Sequence, residues 1–250
     1  MKVIVNGIAT EYTDQGNGPV ILFFHGWQDS LHSFDSIVDP LIETYRIVRL
    51  DLPGFGQTEL PPKDWSLDDY IEFVRSFIEK ININPEYIVG HSFGGRIILK
   101  ALAQKRLSAK KIVLIASAGV SRVNQARNMV FNLIAKSGKL LAVIPPFSLL
   151  RKKMREKLYA FAGSDYLSSS SLSSIFLKVI SEDLSNLVKE VAVPTLLIWG
   201  ADDKSTPLAD AKFLSGSMKQ AQLRVFENRG HYVHQQEPEA VTELIKEFCR

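Results

Sequence analysis

The sequence predicts an α/β fold, a mostly parallel sheet with helices on both faces and a helical cap inserted late in the chain. Three observations predict it. Short apolar runs alternate with stretches of helical spacing, the pattern of strand–helix–strand units. Some runs, such as Val20-Ile21-Leu22-Phe23-Phe24, are apolar throughout, as strands buried on both faces are. The alternation stops between Ala118 and Val191, where the spacing is helical but broken by Gly138, Pro145-Pro146 and Ser168-Ser169-Ser170-Ser171.

Taken in order, residues 2–5 and 8–12 read as a hairpin, with Asn6-Gly7 supplying a type I′ turn. Val20 to Phe24 and Tyr45 to Leu50 are the next strands. Leu67 to Ile81 has helical spacing behind Ser66, a good N-cap residue. Tyr87 to Val89 is a strand, and Arg96 to Gln104 the helix after it. Lys111 to Ile115, Val193 to Trp199 and Leu223 to Phe226 complete the sheet. Pro238 to Phe248 is a last helix with proline in its first turn. Residues 1–118 and 191–250 therefore form the core, and 119–190 a cap over the strand ends. Open α/β sheets bind ligands at those C-terminal strand ends.

Composition narrows the partners. The chain has 250 residues, 46% of them hydrophobic, enough for a large core. No apolar run is long enough to span a bilayer, and the N-terminus has no signal-peptide core. Cys249 is the single cysteine, so no internal disulfide forms and a reducing cytoplasm is the expected location. A net charge of +3 gives no ground for nucleic-acid binding. The charge is uneven, however. Residues 121–160 carry nine basic side chains against Glu156 alone, a net +8, which leaves −5 elsewhere. Such a region is either a solvated outer face over an apolar pocket lining or a surface that meets anionic lipid. The first is the expectation adopted, because most charge runs are solvated faces. The partner expected is then a small molecule in an apolar pocket.

Gly90-His91-Ser92-Phe93-Gly94 joins a strand to a helix. A serine between two glycines at such a turn is a nucleophile elbow, whose strained backbone leaves no room for side chains two residues either side. The hydroxyl sits at the tip of the turn, beside a helix N-terminus that favours developing negative charge. Serine needs a base, and the base needs an orienting acid. Of the five histidines, His25, His32, His91, His231 and His234, His91 sits within the elbow and cannot reach over its own turn. His231 follows Arg229-Gly230 after the strand Leu223 to Phe226, at the same sheet edge as Ser92, with His234 as its rival. Asp202 and Asp203 both follow the preceding strand as candidate acids.

With these segments in view, the chain resembles the serine α/β-hydrolases over nearly its whole length. The resemblance rests on His25-Gly26-Trp27, Asp51-Leu52-Pro53-Gly54-Phe55-Gly56, Gly90-His91-Ser92-Phe93-Gly94-Gly95, Pro194 to Asp203, and Gly230-His231. It implies the order serine, acid, histidine. It selects Asp203, three residues after the strand-ending Gly200, and His231, which follows a glycine. It implies an oxyanion hole from the backbone N–H groups of Trp27 and Phe93, acyl transfer to Ser92 and then to water, and no metal or organic cofactor. His25 and Asp51 are expected to be positional, His25 holding the oxyanion loop, and Glu59 a surface charge. A serine nucleophile points to esters, thioesters, amides or carbon–carbon bonds. Trp27-Gln28-Asp29-Ser30 lacks the glycine-rich stretch of the carbon–carbon hydrolases, so a carboxylic ester with a small to medium acyl group is expected. In the carbon–carbon alternative, Arg96, Arg122 or Arg127 would bind a substrate carboxylate. A third reading is a non-catalytic ligand-binding protein that keeps the fold.

Overall fold

The computed structural model describes residues 1–62, 64–120 and 172–250. Arg122, Arg127, the basic region and most of the expected cap lie outside the described residues.

Asn6 and Gly7 both take positive φ, 48° and 82°, and turn β1 (Lys2–Val5) back onto β2 (Ile8–Gln15). The other strands are β3 (Val20–Phe24), β4 (Arg46–Leu50), β5 (Tyr87–His91), β6 (Lys111–Ile115), β7 (Thr195–Gly200) and β8 (Ala221–Phe226). They form one sheet in the order β1-β2-β4-β3-β5-β6-β7-β8. The pairs β1–β2 and β2–β4 are antiparallel; every other pair is parallel.

All five residues of β3 are buried, and successive ones serve opposite faces. Leu22 and Phe24 join a core with Ile88, Leu114 and Leu197 under α2 (Leu67–Lys80) and α3 (Phe93–Ala103). Ile21 and Phe23 join Val89, Val113 and Ile198 on the other face. That face is covered by α1 (Asp35–Val38) and by a late helix, Pro238–Cys249. Ser66 and Asp69 close a reciprocal capping box at the start of α2. Helix α4 (Ser173–Ser181) falls within the segment expected to form the cap. Two further helices, α5 (Leu208–Ser217) and the short α6 (Val233–Gln236), precede the late helix, α7. Among the described residues no helix is long and apolar enough to cross a membrane.

Among the differences from expectation, one boundary and one whole helix have clear causes. α3 starts at Phe93 rather than Arg96, because Ser92 itself stands at the N-cap position. α5 was not legible, since its apolar residues form no stripe and Gly216 interrupts it.

Candidate active site

The centre of the sheet edge is Ser92, at φ 48° and ψ −107°. A β-carbon is strained there, so the surroundings must hold the turn. They do so by close backbone approach. A β-carbon on Gly94 would lie 2.1 Å from the Phe24 carbonyl oxygen, and one on Gly90 would lie 2.7 Å from the backbone of Gly94 and Gly95. The Ser92 N–H donates to Ile115 O at 3.0 Å, Ala118 N–H to Ser92 O at 3.0 Å, and Gly94 N–H to His25 O at 3.0 Å. The Ser92 side chain makes no capping hydrogen bond to α3.

The loop after β3 lies against this turn, since a β-carbon on Gly26 would meet Ser92 Cβ at 3.5 Å. The amides of Trp27 and Phe93 have no hydrogen-bond partner among the described residues. Their side chains touch, with ring centres 5.2 Å apart. His25 ties the loop down: its Nδ1–H donates to Gly26 O at 2.7 Å, and its Nε2 accepts Leu52 N–H at 2.9 Å. Burial pushes the pKa of His25 below its ordinary value. Asp51 accepts Leu31 N–H and Gln57 N–H, each at 2.7 Å, and so joins two loops.

At the neighbouring edge, the loops after β7 and β8 meet. A β-carbon on Gly200 would lie 2.2 Å from Arg229 O. His231 Nδ1–H donates to Asp203 Oδ2 at 2.8 Å. Asp203 Oδ1 accepts the N–H groups of Ser205 (2.8 Å) and Thr206 (2.9 Å). Burial pushes the Asp203 carboxyl up, but the bonds from His231 and Thr206 outweigh it and hold the group below the usual carboxylate range. Asp202, in contrast, is exposed. Ser92 Oγ makes no hydrogen bond to His231 among the described residues.

This fold and edge arrangement agree with a sequence profile of the alpha/beta hydrolase family, which matches residues 21–244. The chain belongs to the alpha/beta hydrolase family. It is 27% identical over 250 residues to YisY of Bacillus subtilis, an AB hydrolase superfamily protein, covering 94% of this chain and 93% of that one. It is 26% identical to human monoacylglycerol lipase ABHD6, over 93% of this chain and 76% of the lipase. A meta-cleavage product hydrolase from Pseudomonas fluorescens superimposes with a TM-score of 0.76 at 24% identity, covering 99% of this chain and 96% of that one; this likeness is one of fold.

The hydrolase also gives places to His91 and His234, the histidines set aside above, and to Thr206, which sequence reasoning missed. His91 packs its ring 4.8 Å from that of His231 and donates from Nε2 to His231 O at 3.1 Å. His234 lies 4.7 Å from His91 and meets Ser33 Oγ through Nε2 at 3.1 Å. Burial pushes the pKa of His234 down to about 4 and that of His91 well below its ordinary value, so both are neutral spacers beneath His231. Thr206 completes the acid's surroundings; a hydroxyl residue three positions after an aspartate was its sequence signal. Trp27, Phe55, Phe93 and Phe176 form an aromatic wall beside the elbow, with Phe176 contributed by α4.

Arg96, expected at a substrate carboxylate, is bound elsewhere. Its guanidinium is buried and donates to Val179 O (2.5 Å) and Glu182 O (2.6 Å) at the end of α4. Those carbonyls lack partners within their own helix, and Arg96 supplies them. Glu59 accepts Ala9 N–H at 2.8 Å, away from the elbow.

Proposed function

We propose that the protein is a serine hydrolase cleaving carboxylic esters of small to medium acyl groups. The observation that carries the reading is the 2.8 Å bond from His231 Nδ1 to Asp203 Oδ2, on the sheet edge that also carries Ser92, whose side chain makes no capping bond to α3. It assigns the Nδ1 proton and leaves Nε2 free as a base. Ser92 Oγ attacks the acyl carbon while its proton passes to His231 Nε2. The N–H groups of Trp27 and Phe93 receive the oxyanion. The tetrahedral adduct collapses to the acyl-enzyme, and the same proton leaves with the alcohol. Water then repeats the sequence, giving the acid and restoring Ser92. The aromatic wall suits an apolar acyl group, and the similarity to a monoacylglycerol lipase supports ester chemistry. The carbon–carbon alternative needs a cation for a substrate carboxylate; Arg96 is already engaged by carbonyls, which leaves that role to Arg122 or Arg127, outside the described residues. A cytoplasmic location belongs to this reading, as does the cap expected over 119–190, most of which lies outside the described residues.

The test is a panel of nitrophenyl esters of graded chain length, with Ser92→Ala as control. Turnover is expected with short and medium chains and a loss of about 10³-fold or more in Ser92→Ala. Near wild-type turnover in Ser92→Ala removes Ser92 as nucleophile. A flat panel near zero favours the carbon–carbon or binding readings.

A further inference from the structure

Thr206 is buried and has more work than a satisfied core hydroxyl needs. Its Oγ1 lies 2.7 Å from Asp203 Oδ2, 3.3 Å from His231 Nδ1 and 3.0 Å from Ala116 O. With the 2.8 Å bond between Asp203 and His231, the first two distances close a triangle. A hydroxyl has one hydrogen and two lone pairs. If that hydrogen went to Ala116 O, an oxygen lone pair would face a carboxylate oxygen at 2.7 Å with no proton between them. The carboxylate is the stronger acceptor and lies closer than Ala116 O, so the hydrogen goes to Asp203 Oδ2 and the 3.0 Å approach to Ala116 O carries no proton. A lone pair is then left facing His231 Nδ1–H, which shares its proton unequally between the carboxylate and Oγ1.

The chain around Thr206 fixes this hydroxyl in place. Its amide is held by Asp203 Oδ1 at 2.9 Å, and its carbonyl accepts the indole N–H of the buried Trp199 at 2.7 Å. Pro207 follows and restricts the Thr206 backbone to extended conformations. The β-branch limits χ1. Little entropy remains to be lost when the triangle forms.

We infer that Thr206 is a positioning residue of this site, whose hydroxyl locks the Asp203 carboxylate and the His231 ring into one orientation. The inference rests on the serine-hydrolase reading and extends it to a residue that touches neither substrate nor nucleophile. Thr206 donates to the carboxylate, so it also withdraws negative charge from the oxygen that His231 uses. Its loss makes Asp203 the stronger partner of a protonated His231 and delays deprotonation of the base. The other titratable groups around His231 are His91 from the elbow, with His234 and Tyr232 from its own loop. Burial holds both histidines below the ordinary imidazole range.

The experiment compares Thr206→Val and Thr206→Ser with the wild type on one nitrophenyl ester across pH. For Thr206→Val we expect kcat to fall about tenfold, the size of one charge-assisted hydrogen bond, with KM unchanged. Its acidic limb should move to higher pH by about half a unit. Thr206→Ser keeps the hydroxyl and should restore both. The far-downfield proton of His231 Nδ1–H should shift in Thr206→Val and return in Thr206→Ser. If Thr206→Val does not fold, Thr206→Cys replaces it, since a thiol is a weak donor and should reproduce the pH shift. A superimposable pH profile in the hydroxyl-free variant overturns the inference, as does a Thr206→Ser that matches Thr206→Val. Failure of the underlying reading looks different: Ser92→Ala would then remain active, or no ester would be turned over by any form.

Discussion

The elbow and the acid–base edge adjoin each other, yet different forces hold them. At the elbow, Ser92 is fixed by backbone packed on backbone: Gly94 against Phe24, Gly90 against Gly94 and Gly95. At the acid–base edge, four donors converge on one carboxylate: the N–H groups of Ser205 and Thr206, the Thr206 hydroxyl and His231. Close packing tolerates no added atom, so the elbow should fail as a whole. A hydrogen-bond network loses members one at a time, so the acid–base edge should fail by degrees.

The sharpest way to break that contrast is one methyl group at the elbow. Gly94→Ala puts a β-carbon 2.1 Å from a carbonyl oxygen of a central strand, which cannot move aside. We expect loss of the folded elbow, read as loss of both soluble protein and ester turnover. Gly216→Ala is the matched control, since nothing lies within 4 Å of its added carbon. There alanine should stabilise α5 by roughly 0.5–1 kcal/mol in urea unfolding.

On the acid–base edge the expected effect is large but confined to catalysis. Asp203→Asn keeps the shape but places an amide NH₂ among donors. Turned toward His231, it forces the imidazole to accept at Nδ1 and carry its proton at Nε2, where it cannot act as base. We expect kcat to fall about 10³-fold or more with Tm changed by only a few degrees. Asp202→Asn, at an exposed carboxylate, should stay within about twofold. The reverse ranking would move the acid by one residue.

The same contrast explains what the sequence made legible. Steric demands are local and leave glycines behind, so Gly90, Gly94 and the buried run of β3 were readable as an elbow on a parallel sheet. Residue type and strand ends nominated Ser92 with two acids, Asp202 and Asp203, and two histidines, His231 and His234; the family resemblance chose Asp203 and His231, which the structure joins at 2.8 Å. Thr206 was not readable, because a hydroxyl three residues after Asp203 signals only a local contact, whereas its role depends on meeting His231 across 25 residues of chain and Ala116 across 90. Arg96 was misplaced for a related reason. An arginine one turn into the elbow helix looks like a substrate cation until the carbonyls of Val179 and Glu182 are brought over it.

That clamp offers a smaller effect. Arg96→Met keeps the stem but leaves the Val179 and Glu182 carbonyls short of a donor. The cost should be about 2–3 kcal/mol, localised at α4. Hydrogen exchange should rise across 172–190 and stay unchanged in β5. A substrate role predicts another result, a higher KM for esters bearing a free carboxylate and no change for neutral ones.

A modest, pH-dependent effect lies beneath His231. In the folded protein His234 takes a proton only near pH 4, against 6.5 for an unperturbed histidine, because burial opposes its charge. Between those values the unfolded chain binds more protons than the folded one. Stability from this group is therefore full above pH 6.5 and is lost as the pH falls toward about 4. His234→Phe removes the titration and keeps a ring against Phe34, whose centre lies 5.3 Å from that of His234. Urea unfolding near neutral pH and again near pH ~5 should show the variant losing about 1–2 kcal/mol less than the wild type on acidification. Equal losses would mean that His234 charges without strain in the fold, and the neutral layer under His231 would then rest on His91 alone.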